Sequence, residues 1–178
     1  MLLDFGQPVS GIIQTAFVVQ DIRQSISTWL KTQNVGPWFL QERWAGKEAM
    51  YRGQPSKAEI AAAIAYSGHT QIELIQPLDD YPSVYQEVIQ DTGYGFHHVA
   101  RGSVNYEADV QAYTGRGFEL AFQVRVPTGS WVGYMDTRNV LAGFTELIQN
   151  TEANEQFFTD IYRAAIRWDG TDPLRYFG

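Results

Sequence analysis

Two short segments of this chain are nearly identical, and each places a glutamate inside an apolar run. They are Ile72–Gln76 (IELIQ) and Thr145–Gln149 (TELIQ), with Glu73 and Glu146 at matching positions. Apolar runs of this length predict β-strands, in which alternate side chains share a face. For one such glutamate, an exposed polar face is a sufficient explanation. The matched pair instead predicts a fold built twice, with a buried carboxylate that is paired or bound to a cation in each half.

Two further strands are predicted to open the halves. The first, Gly11–Val19, carries Gln14 inside an apolar run, and the second, Tyr94–Arg101, carries the adjacent pair His97 and His98. Regular alternation allows only one of two neighbouring residues to face a given cavity. We expect that residue to be His98.

The remaining segments complete a pattern of strand, helix and three strands in each half. A helix is expected from an N-cap at Asp21 to about residue 33, and others near 82–90, 106–114 and 152–168. Further strands are expected at 38–43, 59–67, 118–126 and 131–136. Residues 44–58, rich in Gly, Lys and Pro, predict a mobile loop that either covers a pocket or packs outside the sheet. The ends are expected to be arms: 1–10 without regular structure, and 169–178 with Tyr176 and Phe177 as candidate anchors.

This pattern predicts a single α+β domain over residues 1–178, with two βαβββ modules and flanking helices. The modules are expected at 11–77 and 94–150, the linker helix at 78–93, and a C-terminal helix and tail at 151–178. A chain of 178 residues with 44% hydrophobic residues is long and apolar enough for one packed core.

Composition narrows the functional classes. The net charge of −7 argues against a nucleic-acid partner, because phosphate contacts require clustered Lys and Arg. The absence of cysteine excludes disulfides, zinc–thiolate sites and a cysteine nucleophile. Without a long apolar run or a basic N-terminal segment, we expect a cytoplasmic protein that does not enter a membrane.

Aromatic residues on or near the predicted strands are expected to wall a pocket. Alternation lets only about half of them point inward, and together they favour an apolar or aromatic substrate. The residues assigned to substrate binding are Trp38, Phe39, Trp44, Tyr51, Phe122 and Tyr134.

The doubled pattern resembles the vicinal oxygen chelate superfamily, which includes glyoxalase I, methylmalonyl-CoA epimerase, extradiol dioxygenases and bleomycin-resistance proteins. The resemblance runs from about Gly11 to Gln149 and is carried by QTAFVVQDI, IELIQP, GFHHVAR and TELIQ. It implies that the two modules form an open, curved mixed-sheet barrel around one divalent metal, held by ligands that match Gln14, Glu73, His98 and Glu146. The linker and central strand are similar to the epimerase branch, whereas the ligand order is similar to zinc-type glyoxalase I.

The resemblance implies a metal-dependent lyase or isomerase of the glyoxalase/epimerase type. One imidazole, one amide and two carboxylates suit Zn²⁺, Ni²⁺, Co²⁺ or Mn²⁺. Proton transfer next to a metal-chelated carbonyl then needs a base, for which Glu146 is the first choice, with Glu73 returning the proton. The superfamily also implies a homodimer acting on a small molecule.

Two alternatives stay open. The same barrel in bleomycin-resistance proteins sequesters an aromatic ligand without catalysis, so this chain is also compatible with a binding protein. A ring-cleaving enzyme of aromatic catabolism is the other alternative, although non-haem iron sites use a second histidine where position 14 holds Gln.

Overall fold

The computed structural model describes residues 3–177, in which every strand belongs to one curved mixed sheet flanked by four helices. The helices are α1 (Ile22–Gln33), α2 (Val84–Thr92), α3 (Tyr106–Thr114) and α4 (Glu152–Ile166). The strands are β1 (Ile12–Val18), β2 (Trp38–Ala45), β3 (Lys47–Tyr51), β4 (Gln54–Pro55), β5 (Glu59–Ser67), β6 (Thr70–Pro77), β7 (Gly95–Ser103), β8 (Leu120–Arg125), β9 (Trp131–Met135), β10 (Phe144–Gln149) and β11 (Leu174–Tyr176). The α+β class is thereby confirmed. In this part of the chain no helix combines the length and the apolar character needed to cross a bilayer.

The strand order is β11-β2-β5-β6-β1-β7-β10-β9-β8-β3-β4. Strand β1 pairs in parallel with β6 and antiparallel with β7, and β7 pairs in parallel with β10. The four central strands are therefore the four that carry the predicted ligands. Ala16 lies opposite both Glu73 and His98, while Ala100 lies opposite both Gln14 and Glu146. Small residues at these opposing positions leave space between the longer polar side chains.

The predicted loop at 44–58 is wrong, because most of this segment is strand. Strand β2 continues to Ala45, and β3 and β4 form a hairpin whose two-residue turn is Arg52–Gly53. Both turn residues have positive φ, 43° and 76°, as the type I′ turn of a tight hairpin requires. Strand β3 then pairs with β8, so a hairpin from the first half borders the strands of the second half.

The sheet packs helices on both faces. On its convex face, Ile22 and Ile26 of α1 pack on alternate residues of β2, β5 and β6, including Leu74. The N-cap of α1 is Asp21, as predicted, and its carboxylate accepts a hydrogen bond from the backbone N–H of Gln24. The concave face is covered by α2 and α4, whose buried apolar residues include Val88 and Phe158. The predicted ligands point toward this covered face.

Both ends of the described chain are packed rather than free. Leu3 and Phe5 are buried in the core of the concave face. At the other end, β11 adds a parallel strand to β2, and Phe177 stacks on Phe39 with ring centroids 5.8 Å apart. Residues 3–10 contain no helix or strand of the sheet and Phe177 anchors the tail, as predicted, but neither end is a free arm and the tail contains β11. Met1, Leu2 and Gly178 lie outside the described residues. The module limits 11–77, 78–93 and 94–150 stay a prediction.

Candidate functional site

Four polar side chains from four adjacent strands meet on the concave face. His98 Nε2 lies 3.3 Å from Gln14 Oε1, 3.2 Å from Glu146 Oε2 and 3.6 Å from Glu73 Oε2. The structure therefore brings together all four residues that the resemblance marks as metal ligands.

The cluster is almost completely shielded from solvent. The His98 side chain is 0% exposed, that of Glu146 is 6% exposed and that of Glu73 is 14% exposed. Oε2 of each glutamate is buried and has no hydrogen-bond partner. Burial, together with the negative charge of Glu146, raises the pKa of Glu73 well above its ordinary value. Two buried, unpartnered carboxylate oxygens indicate a place where a cation or a proton belongs.

The donor set fits a divalent cation. Oxygen and nitrogen ligands about 2.0–2.2 Å from one ion lie roughly 2.8–3.6 Å from each other, and the three distances from His98 Nε2 fall in or at the edge of this range. Within residues 3–177 no group of three or more His, Asp or Glu side chains is placed so that it could hold a metal ion by itself. The fit depends on the amide oxygen of Gln14, which supplies the fourth donor.

The amide of Gln14 is held in one orientation by a buried chain of hydrogen bonds. Its Nε2 donates to Gln71 Oε1 at 2.6 Å, and Gln71 Nε2 donates to the Tyr66 hydroxyl at 3.1 Å. Once the amide nitrogen has this acceptor, the amide oxygen faces His98. Sequence reasoning missed Gln71, although it precedes Glu73 by two residues on the same face of β6 and could have been found from that spacing.

The expectation that only one histidine faces the site is wrong. Ala16 pairs with His98 but Phe17 pairs with Phe96, so His97 is the extra residue of a β-bulge. The bulge interrupts the alternation of β7 and brings the two rings together, with His97 Nδ1 2.8 Å from His98 Nδ1. His97 Nε2 lies 3.3 Å from the carbonyl oxygen of Val84 in α2. Burial and the neighbouring His98 lower the pKa of His97 well below its ordinary value, so this ring is neutral.

Aromatic rings enclose the two histidines. Tyr134 lies edge-on to His98, with ring centroids 4.9 Å apart. Tyr85, from α2, lies 5.1 Å from the His97 ring and 6.2 Å from the Tyr134 ring. Burial raises the pKa of both phenols, so Tyr85 and Tyr134 stay protonated at neutral pH. Tyr85 was missed from sequence, although the helix that carries it was predicted near 82–90.

The aromatic residues predicted to bind substrate fall into separate places. Phe122 and Tyr134 lie together beside the site, with ring centroids 5.8 Å apart. Trp38 does not belong with them: it is 0% exposed, faces α1 on the convex side and packs against Trp29. The predicted substrate contact of Trp38 is therefore wrong. The adjacent residue, Phe39, is the one that packs on the concave face.

The other two predicted aromatics lie toward the β3–β4 hairpin. Trp44 and Tyr51 pack at the edge of the core of the concave face. The Tyr51 hydroxyl donates a 2.6 Å hydrogen bond to Glu87 of α2, and burial and this contact raise the pKa of Tyr51. Neither residue has a hydrogen bond or ring contact to the four donor residues in the part of the chain that the structure describes.

A network of charged side chains fastens α2 to the second half. Glu87 accepts hydrogen bonds from Arg52 and Arg138, and both guanidinium groups also contact Asp136. Burial alone would raise the pKa of Glu87, but the hydrogen bonds from Arg52 and Tyr51 outweigh it and hold that pKa below its usual value. Arg138 also lies over the Phe144 ring, 4.5 Å from its centroid. Because Phe144 packs against His97 at 5.2 Å, the network lies close to the site.

Two cavities flank α2. One of about 240 Å³ is lined by residues that include Asp79, Gln86 and Tyr94, and another of about 370 Å³ lies between Tyr81 and the β3–β4 hairpin. Neither is lined by the four donor residues. The donors therefore lie deeper than these surface cavities, beneath α2 and α4.

Solved structures share this fold. A hypothetical protein from Bacillus halodurans C-125 has a TM-score of 0.61 and 20% identity, over 82% of this chain and 97% of that one. Methylmalonyl-CoA epimerase from Mycobacterium tuberculosis has a TM-score of 0.60 and 17% identity, over 83% and 93%. A Streptomyces coelicolor methylmalonyl-CoA epimerase variant in complex with 2-nitronate-propionyl-CoA has a TM-score of 0.59 and 16% identity, over 82% and 97%. At these identities the likeness concerns the fold alone.

A search of curated proteins found no significant match to this chain. A family model, described as the glyoxalase/bleomycin resistance protein/dioxygenase superfamily, matches residues 13–134. The match covers more than half of the chain and includes three of the four donor residues, and it confirms the resemblance seen in the sequence. The chain therefore belongs to the glyoxalase/bleomycin resistance protein/dioxygenase superfamily.

Proposed function

We propose that this protein is a metal-dependent lyase or isomerase of the glyoxalase/epimerase type, which moves a proton on the carbon next to a substrate carbonyl. The observation that carries the proposal is the convergence of His98 Nε2, Gln14 Oε1 and two unpartnered glutamate oxygens at one buried point. Four lone-pair donors without a counter-charge favour a bound cation over a purely structural cluster.

Gln14, Glu73, His98 and Glu146 would hold the ion, which is Zn²⁺, Ni²⁺, Co²⁺ or Mn²⁺ for this donor set. When bound, the cation supplies Lewis-acid polarisation of a substrate carbonyl. The chain's own residues supply the proton transfers. Glu146 takes the proton from the carbon, and Glu73 returns one on the other face. The protonated phenols of Tyr85 and Tyr134 are hydrogen-bond donors beside the same point.

The surroundings favour an apolar or aromatic substrate. Phe122, Tyr134 and Tyr85 form an aromatic wall next to the donors, and apolar walls with a few polar groups are typical of small-molecule sites. The epimerases that share the fold include one in complex with methylmalonyl-CoA, which makes acyl thioesters the first substrates to test. A cytoplasmic homodimer remains the expected form of the protein.

The test has two steps. Protein purified without chelators is first analysed for metal, and roughly one divalent ion per chain is expected. Metal-loaded protein is then incubated in D₂O with methylmalonyl-CoA and, separately, with the hemithioacetal of glutathione and an aromatic ketoaldehyde. Proton NMR follows exchange of the hydrogen next to the carbonyl. Faster exchange than with metal-free protein supports the proposal.

Glu146→Gln is the decisive variant. It keeps an oxygen ligand but removes the base, so exchange should fall by about 10²–10⁴-fold while the circular dichroism spectrum and most metal binding are retained. The exposed Glu48→Gln serves as the matched control and should exchange like the wild type. Full activity in Glu146→Gln would remove Glu146 from the base role. A metal-free protein that binds an aromatic ligand tightly would instead favour the non-catalytic binding protein.

A further inference from the structure

The four donor residues are enclosed by two helices, one on each side of the cluster. Neither of the two cavities beside α2 is lined by a donor residue, so a substrate reaches the donors only after a covering element moves. On the side of the histidines lies α2, whose Val84 carbonyl oxygen is 3.3 Å from His97 Nε2. On the side of Gln14 lies α4. Access therefore requires that one of these helices lifts.

A short chain of contacts joins α4 to the donors. The Tyr162 ring of α4 packs against the Tyr66 ring of β5, with centroids 5.5 Å apart. The Tyr66 hydroxyl lies 3.1 Å from Gln71 Nε2, and Gln71 Oε1 lies 2.6 Å from Gln14 Nε2. Lifting α4 therefore uncovers Tyr66, then Gln71 and then the first of the donors.

The attachment of α4 is weaker than that of α2. The chain on either side of α2 runs into the central strands β6 and β7, and Glu87 is held by Arg52 and Arg138 through side chains that are 18–28% exposed. By contrast, α4 is followed only by β11, a three-residue edge strand. The ion pair from α4 to the N-terminal segment, Arg163 to Asp4 at 3.8 Å, joins side chains that are 52% and 70% exposed, and such pairs contribute little to stability.

A buried hydroxyl on α4 opposes the closed position. Thr159 is 1% exposed, and its Oγ1 has no hydrogen-bond partner among the described residues. The other threonines within helices, Thr28, Thr32, Thr92 and Thr114, each donate to a backbone carbonyl oxygen three or four residues earlier. A buried hydroxyl without a partner carries a desolvation cost. Water removes this cost when the helix lifts.

We propose that α4 is a movable cap, which lifts from the concave face to admit substrate to the donors and is kept close to opening by the unpartnered hydroxyl of Thr159. The inference rests on the proposed function only in that it takes the four donors as the place that a substrate must reach. The open form is rare at equilibrium, because Phe158 and Ile161 of α4 are buried in the core of the concave face when the cap is closed.

Hydrogen exchange in increasing urea tests whether α4 lifts by itself. The α4 amides should exchange through an opening that depends only weakly on urea, whereas those of α2 and β1 should require global unfolding. In Thr159→Val, which removes the hydroxyl and keeps the shape, exchange of α4 should slow about 5–150-fold. The matched control, Thr28→Val in α1, should leave exchange of α4 unchanged. Equal protection and equal urea dependence of α4 and β1 would overturn the proposal.

A thiol beneath the cap tests whether the opening exposes the site. The sequence contains no cysteine, so Gln71→Cys places a single thiol beside Gln14, and Val84→Cys places one beneath α2 at a side chain that is 0% exposed. Labelling of metal-free protein is followed with dithionitrobenzoate, a chromogenic aromatic disulfide. Gln71→Cys should react faster than Val84→Cys and should slow about 5–150-fold when combined with Thr159→Val. Faster labelling of Val84→Cys would make α2 the moving element and overturn the proposal.

The outcomes separate this inference from the proposed function. A Gln71→Cys thiol that reacts no faster than global unfolding of the same variant allows would overturn the cap and leave the enzyme proposal intact. Labelling that depends on Thr159, in a protein whose wild type exchanges no substrate hydrogen, would overturn the enzyme proposal alone. Unchanged exchange of α4 in Thr159→Val would overturn the role assigned to the hydroxyl.

Discussion

Glu73 is a buried acidic residue whose ionisation is costly in the fold. Its carboxyl is buried, its Oε2 has no hydrogen-bond partner, and Glu146 adds a second acidic group nearby. The folded protein therefore holds the Glu73 proton more tightly than the unfolded chain does. Between the unfolded pKa of about 4.3 and the raised folded pKa, the folded state binds more protons, so stability falls as the pH rises.

Glu73→Gln should relieve this cost. We expect the metal-free variant to match the wild type near pH 5 and to melt at a higher temperature than the wild type at pH 8. Each kcal/mol of relief corresponds to about 2–4 °C for a chain of this size. Differential scanning calorimetry across this pH range is the measurement.

Two controls define the prediction. Glu48→Gln should follow the wild-type pH profile, because that side chain is exposed. Addition of zinc should stabilise the wild type more at pH 8 than at pH 5, since the cation supplies the missing counter-charge. An identical pH profile for Glu73→Gln and the metal-free wild type would contradict the buried-charge interpretation.

For individual residues, the sequence was informative where the same pattern occurs in both halves. It was misleading where a β-bulge interrupts the regular alternation of side chains. The matched strands and their interrupted apolar runs were sufficient to find Gln14, Glu73, His98 and Glu146. Alternation could not reveal that His97 joins them, because the bulge in β7 is a property of its pairing with β1. The pair Trp38 and Phe39 shows the same limit, since composition does not say which of two adjacent aromatics faces inward.

Among the elements, α2 connects the two halves and also covers the site. It supplies Tyr85 and the Val84 carbonyl to the histidines, and Glu87 fixes it to Arg52 and Arg138. These three charged side chains are between 18% and 28% exposed, so their contacts are less screened than those of surface ion pairs.

Removal of the central carboxylate should loosen this helix. Glu87→Gln leaves two partly buried guanidinium groups with fewer acceptors and should lower the free energy of unfolding by about 1–3 kcal/mol. Urea unfolding measures this loss, and hydrogen exchange should accelerate most at the α2 amides. The matched control is Glu42→Gln, which breaks the pair with Arg23 between two exposed side chains and should cost less than about 1 kcal/mol. Equal losses in the two variants would contradict the anchoring role of Glu87.

The β3–β4 hairpin was, with β11, a part of the sheet that the sequence failed to predict. Gly, Lys and Pro between 44 and 58 are typical of loops, and Arg–Gly is not among the usual signals of a two-residue hairpin turn. The hairpin exists because β8 offers it an edge, a long-range pairing that local sequence does not encode. The helices, by contrast, were predictable because caps such as Asp21 and the apolar spacing of α1 are local features.

In the molecule as a whole, the two halves form one continuous sheet. They meet through β1 and β7 at its centre, and again where β3 borders β8. The core of the concave face contains residues from both halves, from α2 and from α4. A structure joined in this way leaves no surface along which one half could unfold without exposing the core of the other.

Unfolding should therefore be a single cooperative transition. The sequence has five tryptophans, of which Trp38 lies in the first half and Trp131 in the second. A variant that keeps only Trp38 and another that keeps only Trp131, with the other four replaced by phenylalanine, therefore separate the fluorescence signals of the two halves. The midpoints of unfolding in urea by fluorescence and by circular dichroism should coincide within each variant. Two separated midpoints, with an intermediate that keeps half of the helical signal, would contradict this expectation.

The hairpin also makes the two halves unequal. Two copies of the first half, joined edge to edge, would contain two β3–β4 hairpins instead of one. Two copies of the second half would contain no hairpin to pair with β8. Neither half alone is thus a repeating unit from which the complete sheet could be rebuilt. The two halves that contain IELIQ and TELIQ are therefore not interchangeable, because the hairpin of the first half pairs with an edge strand of the second.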